Sequence, residues 1–287
     1  YVIIYLKYTC PSEINKIEPV QGQKSNVIVY LNNSEEKLSA KLLIAADGTF
    51  SNLAKMADIK TKRSSYAQHA VIANISTDEP HENKAFERFT DQGPLALLPL
   101  TRNRMSLVWC QSENRYQNTM TLDDEAFIRE LQKNFGFRLG KITKVGERSS
   151  YPLSLHLPNE VYNGRILLLG NSAHTLHPIV GQGFNIGLRD IAALVDIIKE
   201  NLCDGNNDVG GNELLEKYHN QRKADWSKTI GATDSLVRLF SNDYFPLNPV
   251  RSKGLWLIDK LPFIKNKIAN VAMGFDGDSA KLTRGLK

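Results

Sequence analysis

The sequence predicts an α/β protein in which a mainly antiparallel sheet is inserted into a three-layer domain. A short apolar run at 166–169, bounded by Gly164 and Gly170, suits a central strand of an open sheet. Beyond it, after a loop punctuated by Pro178, Gly181 and Gly183, apolar residues recur at Ile191, Leu194, Val195 and Ile198. That i, i+3, i+4, i+7 spacing predicts an amphipathic helix over 184–199. Upstream, short alternating segments separated by polar breaks read as successive antiparallel strands.

Taken in chain order, residues 1–6 form a strand-like run, and 26–47 read as a hairpin with strands at 27–31 and 38–46 and a turn at 32–34. The second strand ends in Asp47-Gly48, and Ser51 is placed to cap a short helix over 52–57. After Lys62-Arg63-Ser64-Ser65, strands are expected at 67–76, 84–90, 95–100 and 105–111. A helix follows at 123–135, its acidic first turn preceded by Thr121 or Leu122, and a strand at 149–157 leads back to the first domain. Residues 204–211 read as a flexible loop, and 217–240 as a helix whose Arg and Lys form a solvated face. Pro262 splits the apolar rhythm of the last segment into two short helices. The expected division is 1–64 and 156–240 for the cofactor part, 65–155 for a substrate sheet with one helix, and 241–287 for a basic helical tail.

The strand, glycine loop and helix at 166–199 have the features of a cofactor site. Glycines let backbone approach a ligand closely, and a helix start carries about half a positive charge, which favours an electron-rich or anionic group. Asp47 and Gly48 fall at the carboxyl edge of a strand, where ligands of open α/β sheets bind. His174 and His177 lie three apart in the same loop; two ligands are too few for zinc, so no metal is expected.

Ala46-Asp47-Gly48-Thr49-Phe50-Ser51, then Gly170-Asn171-Ser172-Ala173-His174 and Pro178-Ile179-Val180-Gly181-Gln182-Gly183-Phe184-Asn185, carry a resemblance. The chain resembles the FAD-dependent aromatic hydroxylases similar to p-hydroxybenzoate hydroxylase. Further segments at 85–90, 93–99, 106–110, 139–143 and 233–237 make it similar to their ubiquinone-biosynthesis branch, in unbroken order from about Val27 to Arg251. The resemblance implies an FAD/NAD(P)-binding three-layer fold, FAD as cofactor, NAD(P)H as reductant, and hydroxylation by O2 of the ring of a polyprenyl phenol. It implies that Asp47 and Gly48 lie near the FAD pyrophosphate, and Gly170 and Asn171 near its ribityl and phosphate part. Pro178, Gly181, Gln182, Gly183, Phe184 and Asn185 are implied to lie against the isoalloxazine ring. His177 is a candidate for the base that deprotonates the phenol, beside an alternative supporting role.

Asn171 stands where the family has Asp, keeping hydrogen-bonding capacity without the charge. Leu53-Ala54-Lys55 stand where the family often has Arg, with Lys55 as the substitute. The Gly-x-Gly-x-x-Gly turn that holds the ADP part in the family has no counterpart, since Gly22 is the only glycine before Gly48. The chain begins with Tyr1, in a strand-like run. It is therefore expected to be the carboxyl-terminal part of a longer enzyme whose first βαβ unit is missing, holding FAD poorly or not at all and inactive alone.

Composition agrees with this class: 41% hydrophobic and 23% charged residues are ordinary for a folded protein. Cys10, Cys110 and Cys203 are too few for a disulfide framework and suggest a reducing compartment, hence a cytoplasmic location, at the inner face of the membrane if the tail docks there. Residues 250–287 hold eight Lys/Arg against three Asp, matching the net charge of +5 of the whole chain. Lysines interleaved with Leu257, Ile258, Leu261, Ile264, Ile268 and Val271 suit either helices packed on the domain or contact with an anionic membrane or a ubiquinone-enzyme complex. Nucleic acid is not an expected partner, because no aromatic–basic interleaving accompanies the charge. The alternatives are a flavin hydroxylase of another phenol or ring position, and a cofactor-less lipid-binding or assembly subunit.

Overall fold

A computed structural model describes residues 7–20, 26–32, 37–240 and 260–272. The run at 1–6, most of the turn expected at 32–34 and most of the basic tail lie outside the described residues. Three strands, β1 (Ile14–Val20), β2 (Asn26–Leu31) and β3 (Lys37–Ala40), form an antiparallel sheet in the order β1-β2-β3. β1 is not apparent from the sequence: its apolar residues are interrupted by Lys16, Glu18 and Pro19.

The single strand expected at 38–46 is two. β3 pairs antiparallel with β2, whereas β4 (Leu43–Ala45) turns away to pair parallel with β12 (Ile166–Leu168). Ser39 and Lys41 alternate with Leu38, Ala40 and Leu42 as in a single half-buried strand, so the periodicity carries no sign of the break at Lys41-Leu42. β11 (Tyr162–Asn163) completes the second sheet in the order β11-β12-β4. Ser51 caps α1 (Asn52–Met56) as expected, its hydroxyl accepting the Ala54 N–H at 2.9 Å.

The largest sheet runs β10-β5-β8-β7-β6, with β9 (Ile142–Val145) also pairing β5. It comprises β5 (Thr61–Thr77), β6 (Phe86–Thr90), β7 (Gly93–Pro99), β8 (Arg104–Ser112) and β10 (Ser149–Pro158), all antiparallel to their neighbours. Strand alternation gives it two faces. Val71, Ile75, Leu95, Leu97, Leu107 and Trp109 pack with Phe127, Leu131 and Phe135 of α3 (Asp124–Phe135). Gln68, Ala70, Pro94 and Cys110 belong to the opposite face. Trp109 is 1% exposed on the helix side of the sheet and packs edge-on to Phe127. Asp123, not Thr121 or Leu122, caps α3 by accepting the Ala126 N–H at 2.7 Å. The short polar helix α2 (Glu113–Thr121) has no apolar stripe to announce it.

A second core joins the β4/β12 sheet to α4 (Gln182–Cys203) and α5 (Asn212–Phe240) through Ala45, Leu167, Leu168, Ile186, Leu194, Ile197, Leu215, Tyr218 and Trp226. The sequence places Ile191 on the buried stripe of α4, but it is exposed, as are Phe184 and Leu188. This helix is apolar over much of its circumference, so the spacing admits two stripes, and packing selects the one through Ile186, Ala193, Leu194 and Ile197. Arg222, assigned from sequence to a solvated face, is buried against Asp190. The 204–211 loop is bonded on two sides: Arg165 makes two hydrogen bonds to Asp208 at 2.7 Å, and Lys41 reaches the Asn207 carbonyl at 2.9 Å. A side chain at Gly210 would lie 1.7 Å from the Lys41 carbonyl oxygen, so only glycine fits. Pro262 opens α6 (Pro262–Ala272), the position where its missing N–H costs nothing.

Candidate cofactor site

β4 and β12 lie side by side and parallel, with Ala45 opposite Leu168, so the Asp-Gly turn and the Gly-Asn loop leave the sheet at the same edge. Their union is polar and specific. The Ser172 hydroxyl accepts the Gly48 N–H at 2.9 Å and donates to Asp47 Oδ1 at 3.1 Å, and the other Asp47 oxygen accepts the Leu53 N–H at 3.2 Å. Burial works against the Asp47 carboxylate, but hydrogen bonds from Ser51, the Leu53 and Asp47 N–H groups and Ser172 outweigh it and hold the carboxyl below its usual range. The Thr175 hydroxyl lies 3.0 Å from that of Thr49 and 2.9 Å from the Asn171 carbonyl, making a second tie between the loops. Ser172, Thr49 and Thr175 were not singled out in the sequence, although all lie within or beside the motifs.

The candidate residues fall into two groups on one surface. Asp47, Gly48, Gly170 and Asn171 form the first; Asn171 is exposed, and Gly170 opens a single 3-10 turn, Gly170–Ser172. Pro178, Gly181, Gln182, Gly183, Phe184 and Asn185 form the second, spanning another 3-10 turn, Ile179–Gly181, and the start of α4. Gly187 joins the two, because a Cβ there would meet the Gly170 Cα at 3.6 Å. Six residues of helix, about 9 Å, separate this contact from Gly181. Within the second group Gln182 is buried and Phe184 is 75% exposed. Lys55, the expected substitute for an arginine, is exposed and reaches Asn52 Oδ1 at 3.4 Å.

Gly48, Gly170 and Gly181 have φ of +88°, +63° and +62°, values that L side chains rarely adopt. Cβ atoms built on these residues, or on Gly183, would meet no atom within 4 Å from beyond the adjacent residues, among the described residues. Each of these four glycines therefore borders open space. Gly181 is the N-cap of the 22-residue helix α4 and gives its first turn no side-chain hydrogen bond. Such an arrangement fits a long cofactor with an anionic middle and a ring that becomes electron-rich on reduction.

Both loop histidines are buried and held neutral. His177 is 1% exposed; burial brings its pKa down to about 4. Its Nδ1 accepts the Ile179 N–H at 3.2 Å and its Nε2 lies 3.1 Å from Gln68 Oε1. With both nitrogens engaged, His177 offers none to a substrate proton. His174 packs on Trp226, its Nδ1 3.9 Å from Asp190 Oδ2, and burial, with Arg222 and His219 nearby, brings it also to about 4.

A parallel strand pair ending in glycine turns, a helix start above it and a large antiparallel sheet beside it define a flavoprotein of the aromatic-hydroxylase architecture. The chain belongs to the FAD binding domain family, whose profile matches residues 14–232. Relatives include ubiquinone hydroxylase UbiL of Rhodospirillum rubrum, 35% identical over 88% of this chain and 59% of the relative. The 3-demethoxyubiquinol 3-hydroxylase of Escherichia coli K12 is 31% identical over 83% of this chain and 61% of its own length. The mitochondrial ubiquinone biosynthesis monooxygenase COQ6 of Danio rerio is 29% identical over 92% and 60%. The chain thus spans about three fifths of the length of these relatives. Among solved structures, p-nitrophenol 4-monooxygenase PnpA of Pseudomonas putida superposes with a TM-score of 0.69 at 16% identity, covering 92% of this chain and 66% of that one. OxyS anhydrotetracycline hydroxylase of Streptomyces rimosus gives 0.66 at 20% identity, over 93% and 52%. These similarities establish the fold class.

Proposed function

We propose that this protein is an FAD-dependent monooxygenase that hydroxylates the ring of a polyprenyl phenol in ubiquinone biosynthesis, with NAD(P)H as reductant and O2 as oxygen source. What supports this reading is the hydrogen-bonded union of the Asp47-Gly48 turn with the Gly170–Ser172 turn, and the close approach of Gly187, in the second turn of α4, to Gly170. The names of the relatives support the pathway. Bound FAD would supply the redox and oxygen-transfer chemistry. Gly48, Gly170 and Asn171 would hold its phosphate and ribityl part, and Gly181, Gln182, Gly183, Phe184 and Asn185 its ring, with the α4 dipole favouring added negative charge there. Residues 65–155 would supply the substrate sheet, and 1–64 with 156–240 the cofactor part; the two hydrophobic cores draw on separate stretches of sequence in agreement with that division. The basic tail would rest on the cytoplasmic face of the membrane, where a polyprenyl phenol resides.

Titrating the full-length gene product with FAD tests the reading, followed by flavin fluorescence and absorbance. Quenching with retained yellow colour is expected. Gly181→Ala should weaken binding about tenfold, because its Cβ enters the open surface and its φ is unfavourable for Ala. A protein that stays colourless at saturating FAD would leave the lipid-binding or assembly role in its place. Ring-hydroxylated product from a polyprenyl phenol, and none from soluble phenols, would fix the substrate class.

A further inference from the structure

We infer that His177 is a positioning residue, a neutral latch that fixes the 178–182 turn against the site-facing side of the large sheet through Gln68. The latch is a chain of hydrogen bonds that runs in one direction from the Ile179 N–H to the Gln92 carbonyl, where Ser112 joins from the other side. Because Nδ1 accepts the Ile179 N–H, the ring proton of neutral His177 sits on Nε2 and is donated to Gln68 Oε1. Gln68 then presents its amide nitrogen to the Gln92 carbonyl at 2.8 Å, and Gln92 accepts the Ser112 hydroxyl on its own side-chain oxygen at 2.9 Å. The chain thus links the loop after β12 to β5, the β6–β7 turn and the end of β8.

Packing leaves Gln68 little freedom to point elsewhere. A Cβ on Gly93 would stand 3.0 Å from the Gln68 amide nitrogen and 3.1 Å from Cys110 Cβ, so the missing side chain at 93 makes room for this arrangement. Tyr66 packs edge-on to the His177 ring with centroids 5.1 Å apart. Burial keeps the ring neutral, which preserves both its donor and its acceptor. Pro178 and the Ile179–Gly181 turn start directly after the latch, so the ring location sets where α4 begins relative to the sheet. That the turn faces a flavin ring rests on the reading above; the tie between turn and sheet does not.

The test uses backbone amide exchange of the protein without added cofactor. The Asn side chain in His177→Asn can still accept the Ile179 N–H two residues on, as Asx turns do, but is too short to reach Gln68. Gln68→Met removes the other partner at similar length. Each variant should speed exchange at Ile179 and Gly181 about tenfold, the worth of one buried hydrogen bond, while core amides of β5 and β8 hold their rates. The double variant should match the singles within about twofold, because both break the same link. Imidazole nitrogen resonances give a readout independent of any variant: an Nε2–H tautomer is expected at His177. An Nδ1–H tautomer, unchanged loop exchange in the singles, or multiplied effects in the double would overturn the latch. If the full-length gene product takes up no FAD, the cofactor reading fails, while these exchange data still decide the latch.

Discussion

At the scale of single residues, the buried histidines make the molecule sensitive to acid. His174 and His177 titrate near 4 when folded, against about 6.5 for an exposed imidazole. Between those values the unfolded chain binds more protons than the folded one, so stability rises with pH through this window and is lost as pH falls through it. Each site is worth on the order of 3 kcal/mol over the whole interval. Urea unfolding at about pH 7 and about pH 4.5 should therefore show a steep loss, and His177→Asn should shallow the slope by its share. Equal slopes in the two proteins would show that His177 already titrates normally in the fold. Asp47 acts with the same sign in a more acidic window: its carboxyl lies below the usual range, so the hydrogen bonds it accepts from Ser172 and the Leu53 N–H stabilise the fold above ordinary carboxylate values and are lost as pH falls through its lowered folded value.

At the scale of elements, the clamp between α4 and α5 holds the helix whose start borders the candidate site. Asp190 is 0% exposed; one oxygen accepts Arg222 Nε at 2.7 Å and the Trp226 indole N–H at 2.8 Å. Burial pushes the Asp190 carboxyl up, and Arg222 and Trp226 pull against that shift. Arg222 also donates to Asp225, which accepts from Arg189 at 2.9 Å, so two carboxylates and two guanidiniums bridge the helices. Asp190→Ala leaves the buried Arg222 with only the partly exposed Asp225 as counter-charge and strands the Trp226 indole N–H, so it should cost about 3 kcal/mol in denaturant unfolding. The half-exposed Lys217–Glu200 pair at 3.1 Å also links α4 and α5, yet Lys217→Ala should cost under about 1 kcal/mol. Comparable losses in the two variants would mean that Arg222 finds water or another partner when Asp190 is gone.

At the scale of the whole molecule, the tail and the cofactor surface would together determine where the protein works. Lys260, Lys265 and Lys267 accompany exposed Leu261, Phe263 and Ile264, with Phe263 79% exposed. Among the described residues no helix is long and apolar enough to cross a membrane. Co-sedimentation with vesicles of anionic phospholipid should carry the protein down at low salt, release it at high salt, and fail with neutral phospholipid. Lysine-to-glutamine changes at 260, 265 and 267 should weaken it without altering the FAD titration. Indifference to lipid charge would return this segment to a packed terminal helix with a solvated lysine face.

Much of the molecule is legible in its residues because some signals are local. Asp47-Gly48 ends a strand because only glycine readily takes φ near +88° there, and Ser51 caps α1 because a hydroxyl reaches the third N–H by itself. The glycine-loop-helix stretch, the alternating strands and the class of cofactor followed from such rules and from motif resemblance. What tertiary structure alone decided depends on partners far away in the chain. The break between β3 and β4, the buried side of α4, the burial of Arg222 and the bond from His177 to Gln68, 109 residues apart, are settled by which surfaces meet. Periodicity states that a face will be covered, and only packing and paired charges select its neighbour.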